Sequence, residues 1–168
     1  VLNLLDALEK IEEKNISYEA KIAGNIDDNL KEIIKQKIEK LKNTKYLGSI
    51  YGKEKSDLLN WSNIFVLPTF YKMEGQPISI LEAMATNNVI VTTKHAGIPD
   101  IVKENINGYF VEKNNFETIF NTLVSLDKDK SKILKIANNN KTYFANNYTE
   151  EHFGKELIKI LQSKNAKT

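Results

Sequence analysis

The amino-acid sequence predicts an α/β fold, in which a doubly wound, Rossmann-like parallel sheet carries helices on both faces. Short strand-like runs alternate with segments of helical periodicity, and this alternation favours a parallel sheet. Two of the runs, Ile64–Leu67 (IFVL) and residues 89–91 (VIV), are apolar throughout, as is typical of strands that are buried on both faces. With 168 residues, the chain is long enough for one domain with a sizeable core.

The chain is predicted to begin with a helix and to continue into a short strand. Apolar residues recur at helical spacing from the first residue, at Val1, Leu4, Leu5, Leu8 and Ile11. No N-cap and no initiator Met precede them, so we expect the segment before this helix to be missing. Residues 18–23 (YEAKIA) then form a predicted strand that ends at a glycine.

Two further helix–strand pairs are predicted before Pro68. Residues 29–42 are expected to be helical because five apolar residues share one helical face. These residues are Leu30, Ile33, Ile34, Ile38 and Leu41. A strand over residues 45–50, a short helix over residues 55–61 and the strand Ile64–Leu67 follow, and Pro68 ends the last of them.

The second half of the chain continues the alternation and then becomes helical. We predict a helix over residues 77–85, a strand over 88–92, a helical turn over 97–102 and a strand over 109–111. The last of these strands follows the turn pair Asn107 and Gly108. Residues 116–126, 130–146 and 150–161 are predicted helices, and the tail from residue 162 is expected to be frayed.

The composition argues against several classes of function. The net charge is only +2, and all 24 basic residues are lysines that are scattered along the chain. A nucleic-acid-binding protein usually clusters its basic residues, so we expect no nucleic-acid partner. The absence of cysteine and the presence of only two histidines leave little material for a metal site, and no apolar run approaches the roughly 18 residues of a membrane span.

Ligands of doubly wound folds bind beyond the carboxyl ends of the strands. In this chain that rule points to the loops at residues 24–25, 49–53, 68–76 and 93–97. The third of these loops leads into the most informative segment, EGQPISILEAMAT, which carries Glu74 at its start and Glu82 within an otherwise apolar helix. We interpret Pro77 as the first helical residue, where its missing N–H has no cost.

The polar side chains of this helix are Ser79, Glu82 and Thr86, and their spacing places them in one narrow stripe. Unpaired amides at the start of the helix, next to Gly75, favour a phosphate group. A phosphorylated ligand with hydroxyls on both sides would meet both carboxylates. The ordinary structural alternative is that Glu74 caps the helix and that Glu82 forms a salt bridge with a lysine.

Three segments together resemble a known enzyme family: EGQPISILEAMA, NVIVTTKHAGIPDIV and NGYFV. They are similar to the C-terminal, donor-nucleotide-binding half of a GT-B fold retaining glycosyltransferase of group 1, also called family 4. The family signature is a pair of glutamates separated by seven residues, and Glu74 and Glu82 match it. The resemblance covers most of the chain and is specific, because the glutamates lie in an extended motif behind a strand that ends in proline.

The resemblance implies a function and a set of site residues. Glu74 is the expected catalytic residue, which contacts the transferred sugar, and Glu82 is expected to hold the ribose hydroxyls. Residues expected to bind the substrate are Glu82, Gly75, Gln76, Pro77, Ile78, Ser79, Ile50 and Gly97. The expected substrate is a nucleoside diphosphate sugar, from which a hexose passes to a polysaccharide or glycolipid acceptor. No cofactor and no metal are expected, and the expected location is the cytoplasm, at the inner membrane face.

The chain also departs from the family pattern. The Arg and Lys that usually neutralise the diphosphate are not found; Lys53 or Lys94 could approach it, and a plain surface position is the alternative for each. The loop that usually carries two adjacent glycines reads His95-Ala96-Gly97. We expect residues 1–168 to be a single donor-binding domain that lacks the acceptor domain and its own first strand. Two other functions stay open: a non-catalytic Rossmann-like module that binds a nucleotide or a protein, and a relative of glycogen or starch synthases.

Overall fold

The structure is a computed structural model, and it describes residues 1–165, with side chains in the last helix described as far as Gln162. Its strands, in chain order, are β1 (Ala20–Ile22), β2 (Thr44–Tyr46), β3 (Ile64–Leu67), β4 (Val89–Thr93) and β5 (Gly108–Val111). All of the strand pairs are parallel. The predicted α/β class is therefore confirmed.

Helices lie between and after the strands, as the alternating pattern predicts. They are α1 (Leu2–Glu13), α2 (Lys31–Lys40), α3 (Gly52–Trp61), α4 (Ile78–Ala85), α5 (Ile98–Ile101), α6 (Phe116–Lys128), α7 (Lys130–Asn147) and α8 (Glu150–Asn165), with a 3₁₀ turn at Asp28–Leu30 before α2. Helix α8 extends to Asn165, four residues beyond its predicted end. Residues 166–168 lie outside the described part of the chain.

The strands form two sheets and not the one continuous sheet that the sequence predicts. One sheet has the order β1-β2 and the other the order β3-β4-β5. Among the described residues, no ladder joins β1 to β3, although α1 spans both sheets. Leu4 of α1 contacts the apolar cluster of each sheet, so packing of this helix unites them where backbone pairing does not.

Strand β4 is the centre of the core, and every residue in it is buried. Its side chains alternate between two apolar clusters. Ile90 packs with residues of α4 and α5, whereas Val89 and Val91 pack with residues of α1 and α6. Helices therefore cover both faces of this sheet, which confirms the doubly wound arrangement around β4.

A buried asparagine ties the sheet to the helical C-terminal part. The Nδ2 group of Asn140, in α7, donates to the carbonyl oxygens of Asn88 and Asn107, at 2.7 Å in both cases. Asn107 in turn donates to the carbonyl oxygen of Ile101 at 2.8 Å. These bonds satisfy backbone groups that would otherwise be buried without partners. They also fix the turn that leads into β5.

Candidate functional site

The start of α4 lies one residue later than predicted. Pro77 is the N-cap, with φ −64° and ψ 114°, because its extended ψ angle keeps it out of the helix that begins at Ile78. No side chain caps this end of the helix. Within the described residues, the amides of Gly75, Gln76, Ile78 and Ser79 donate no hydrogen bond. The helix therefore presents free donors at its positive end.

Space is open beside these amides. A Cβ atom built on Gly75 would meet nothing within 4 Å. Ile78, one of the residues expected to bind the substrate, is 71% exposed at the first turn of α4. Ile80, Ala83 and Met84 are buried, as the pattern predicts.

The polar stripe of α4 contains one ionised side chain and two hydroxyls. The Thr86 hydroxyl donates to the carbonyl oxygen of Glu82 at 3.0 Å, so it is satisfied within its own helix. Ser79 is half-buried near the start of the helix. The part of the stripe that needs an outside partner is therefore the carboxylate of Glu82.

A lysine that the sequence did not single out provides that partner. Lys55 Nζ, in α3, lies 2.5 Å from Glu82 Oε1, and the two side chains are 40% and 32% exposed. The salt-bridge alternative considered for Glu82 is thus realised in this structure. Lys53 instead pairs with Asp57 on its own helix at 2.7 Å, and Lys94 lies over the ring of Phe110.

Glu74 is held differently from Glu82. Its Oε2 accepts one hydrogen bond, from the hydroxyl of Thr69 at 3.3 Å. It makes no ion pair with any residue that the structure describes, and it does not cap α4. The capping alternative for Glu74 was therefore wrong. Glu74 is half-buried, and in the chain it directly precedes Gly75, the first residue with a free amide before α4.

The loops that follow β3 and β4 meet at this point, as the strand-end rule predicts. The Thr93 hydroxyl donates to the carbonyl oxygen of Thr69. The Gly97 amide donates to the carbonyl oxygen of Gly75 at 3.1 Å. These bonds bring the predicted residue Gly97 against the predicted residues of the EGQP segment.

His95 adds a second contact between the two loops. Its Nε2 lies 2.7 Å from the carbonyl oxygen of Tyr71, and Lys113 Nζ lies 3.1 Å from its Nδ1. An ammonium group only donates, so Nδ1 is the acceptor and Nε2–H donates to Tyr71. His95 thus bridges the loop after β4 and the loop after β3, which carries Glu74.

Ile50 belongs to a different loop from these contacts. It is half-buried in the segment between β2 and α3, beyond the point where the Gly24 amide donates to the Gly48 carbonyl at 2.9 Å. A cavity of about 300 Å³ adjoins that end of the β1-β2 sheet, and neither Glu74 nor Glu82 lines it.

Two absences hold for the described residues. No group of three or more His, Asp or Glu side chains is arranged to hold a metal ion in this part of the chain. None of its helices combines the length and the apolar character that a membrane span requires. The expectation that no metal or cofactor takes part stays a prediction.

Comparison with known proteins gives a family. The family described as glycosyl transferases group 1 matches residues 1–143. The putative colanic acid biosynthesis glycosyltransferase WcaL of Escherichia coli K12 is 23% identical over 167 residues, which are 95% of this chain and 41% of that protein. The E. coli UDP-Gal:α-D-GlcNAc-diphosphoundecaprenol α-1,3-galactosyltransferase is 33% identical over 84 residues, or 50% of this chain and 21% of that protein.

A similar fold occurs in Alr3699/HepE of Anabaena, which was solved in complex with UDP. The TM-score is 0.81 at 20% sequence identity, over 96% of this chain and 44% of that one. This similarity confirms the Rossmann-like GT-B type of fold. The chain therefore spans less than half the length of each of these proteins.

Proposed function

Since the chain belongs to the group 1 glycosyl transferases, we propose that it binds the sugar-nucleotide donor of a retaining glycosyltransferase. The observation that carries the proposal is the start of α4, where backbone amides that directly follow Glu74 in the chain have no hydrogen-bond partner among the described residues. A diphosphate would accept hydrogen bonds from the amides of Gly75, Gln76, Ile78 and Ser79. Each carboxylate would accept hydrogen bonds from hydroxyl groups on either side.

The two glutamates have different roles in this proposal. Glu82 holds the ribose hydroxyls, while Glu74, which has only a weak neutral partner in Thr69, contacts the sugar and positions its anomeric carbon. The leaving phosphate takes the proton of the acceptor, so Glu74 acts by positioning and by electrostatic stabilisation. Ile50 borders the nucleobase, and Gly97 supports the loop around the sugar.

The names of the relatives support a donor of this class. One relative is named for UDP-Gal as its donor, and HepE was solved with UDP. We therefore propose a UDP-sugar as the first donor to test. WcaL is named for the biosynthesis of a polysaccharide, which supports a polysaccharide or glycolipid acceptor. We propose that the acceptor binds outside this chain and that the reaction takes place at the cytoplasmic face of the membrane.

Titration of the chain with nucleotides and sugar nucleotides tests the proposal. We expect UDP-glucose, UDP-galactose, or their GDP or ADP counterparts, to shift the amide resonances of residues 75–82 in an NMR spectrum. Absence of a shift at those residues with every one of these compounds at millimolar concentration would contradict donor binding. The comparisons do not favour the alternative of a non-catalytic module, because the curated relatives named here are glycosyltransferases.

Charge-neutralising substitutions separate the roles of the two acids. We expect Glu82→Gln to weaken the binding of UDP and UDP-glucose alike, by about tenfold, because a hydrogen bond to a charged acceptor is lost. Glu74→Gln should weaken the binding of UDP-glucose and leave that of UDP unchanged. Glu32→Gln, at an exposed position in α2, is the matched control. Equal losses for both ligands in the Glu74 variant would refute its role at the sugar.

A further inference from the structure

The carboxylate of Glu82 is oriented by a residue of another helix. Lys55 Nζ lies 2.5 Å from Glu82 Oε1, across 27 positions of sequence. An acid is closer along the chain, since Asp57 lies on the same helix and accepts from Lys53 at 2.7 Å. Lys55 nevertheless extends from α3 to α4, and its side chain is less exposed than the 85% of Lys53.

This contact does more for geometry than for stability. Ion pairs of partly exposed side chains contribute little to the free energy of unfolding. Their geometric effect is different, because a carboxylate that is held on one side loses rotameric freedom before a ligand arrives. Glu82 is the single ionised group of the α4 stripe, and Lys55 is its ion-pair partner among the described residues.

The pair leaves Glu82 able to accept a ligand. Lys55 contacts Oε1, and no residue that the structure describes donates to Oε2. An ionised carboxylate offers about four acceptor sites. A diol that needs two of them can therefore bind while the lysine stays in place, so Lys55 and the ligand do not compete for the same lone pair.

We propose that Lys55 is a positioning residue of the donor site, which fixes the carboxylate of Glu82 for the 2′- and 3′-hydroxyls of the nucleotide ribose. The inference rests on the proposed function and goes beyond it, because no residue of α3 belongs to the motif that carries the family resemblance. The loop that follows β2 leads into α3. Helix α3 thus contributes Lys55 to the proposed site.

The test compares a nucleotide with its counterpart that lacks the two hydroxyls. UDP, GDP and ADP are titrated into the unsubstituted chain, and the tightest binder is then compared with its 2′,3′-dideoxy form. Dissociation constants are measured by NMR for the unsubstituted chain, Lys55→Met, Lys55→Arg and Lys53→Met. Lys53→Met is the matched control, because Lys53 lies on the same helix and its ion pair does not involve Glu82.

We expect Lys55→Met to weaken binding of the normal nucleotide by about 2- to 10-fold, the effect of freeing one long side chain. Binding of the dideoxy form should not change. Lys55→Arg, which retains a charged donor, should restore most of the affinity, and Lys53→Met should bind both forms as the unsubstituted chain does. This pattern would support the inference.

Other outcomes overturn it in distinguishable ways. Equal weakening of both nucleotide forms by Lys55→Met would show a merely structural role for the lysine. Unchanged or tighter binding of the normal nucleotide would show that Lys55 does not position Glu82 or that it competes with the ribose. Each of these results would leave the proposed function in place. No binding of any nucleotide to the unsubstituted chain would overturn the proposed function and this inference together.

Discussion

Gly97 is one of the residues at which the two loops of the site are in contact. A Cβ atom at this position would lie 3.3 Å from the carbonyl oxygen of Gly75, and the Gly97 amide donates to the same oxygen. An added methyl group must therefore push away the segment that carries the free amides of the site. Gly97 thus links the packing of the loop after β4 to the position of the free amides at the start of α4.

We predict that Gly97→Ala weakens binding of the sugar nucleotide and lowers the free energy of unfolding by about 1 kcal/mol, since overpacking of this kind is moderately destabilising. Urea unfolding and NMR titration measure the two effects. Gly154→Ala is the matched control, because a Cβ atom there would meet nothing within 4 Å. Full retention of affinity in the Gly97 variant would contradict the proposed coupling between the loops.

Tyr18 connects the helix α1 to the strand β2 and makes stability depend on pH. Its hydroxyl lies 2.8 Å from Glu12 Oε1 and 3.0 Å from Thr44 Oγ1. Burial raises the pKa of Tyr18 from 10.0 to about 12. A raised pKa means that the folded state favours the neutral phenol. The resulting stability is complete below pH 10 and is lost as the pH rises through 12.

We therefore predict that the free energy of unfolding falls more steeply between pH 10 and 12 in the unsubstituted chain than in Tyr18→Phe. Urea unfolding of both chains at several alkaline pH values measures the difference. The Phe variant keeps the ring and lacks the ionisable group, so titration of the lysines affects both chains alike. Parallel curves for the two chains would rule out this contribution of Tyr18.

At the scale of elements, Gly108 shows how closely β5 approaches the centre of the sheet. A Cβ atom on Gly108 would lie 2.6 Å from the carbonyl oxygen of Ile90 and 3.0 Å from Val102 Cγ1. Backbone atoms of a buried strand cannot move aside as a flexible side chain can. The first residue of β5 must therefore be glycine for the strand to pair with β4.

We predict that Gly108→Ala lowers the free energy of unfolding by at least about 2 kcal/mol, within the range of overpacked cores. The comparison is again Gly154→Ala, which replaces a glycine inside α8 and should be neutral or stabilising by up to about 1 kcal/mol. Thermal or urea unfolding measures both variants. A Gly108 variant as stable as the unsubstituted chain would show that β5 can shift away from β4.

The sequence predicted the bounds of an element well where residues within or next to that element set its ends. The strand Ile64–Leu67 was predicted with its observed bounds, because its apolar run ends at a proline. The strand predicted over residues 45–50 is only Thr44–Tyr46, because Gly48 has a φ of 71° and leaves the extended conformation. Positive φ angles of this kind are set by the turn that follows, which periodicity does not detect.

The candidate site was predictable in its motif and not in its contacts. Spacing and resemblance singled out Glu74, Glu82 and the start of α4 from the sequence. The partners of these groups were not predictable, because the pair of Lys55 and Glu82 and the bridge from His95 to Tyr71 join elements 27 and 24 residues apart. Such contacts depend on the relative rotation of packed elements, which a single sequence does not show.

Ala96 lies in the loop that departs from the family pattern of two adjacent glycines. It has a φ of 47°, in the left-handed region that glycine adopts most easily. The adjacent Gly97 contacts Gly75, because its amide donates to the Gly75 carbonyl oxygen at 3.1 Å.

For the whole molecule, the main question is why the strands form two sheets. A doubly wound fold has the strand order 3-2-1-4-5-6. In this order, β1 and β2 of the present structure match the second and third strands. Strands β3, β4 and β5 match the fourth, fifth and sixth strands. We propose that one further parallel strand fits between β1 and β3, at the position that the first strand has in a doubly wound sheet.

Packing between the two sheets supports this position. The residues of β1 and β3 are only half-buried, whereas those of β4 are buried throughout. Lys21 of β1 lies 3.5 Å from the centre of the Trp61 ring, at the end of the helix that precedes β3. The two open edges therefore belong to neighbouring parts of one domain, which α1 covers on one side.

Hydrogen exchange provides a test of this arrangement. We predict that, in a longer protein that adds a strand before Val1, the amides of β1 and β3 that face away from β2 and β4 exchange at least about tenfold more slowly, because paired amides must open before they exchange. The amides of β4, which already has a neighbour on each side, are the internal control and should change little. Slower exchange in β4 with no change in β1 and β3 would place the added strand elsewhere. Slower exchange confined to β1 and β3 would support one continuous sheet, in which the added strand lies between these two strands.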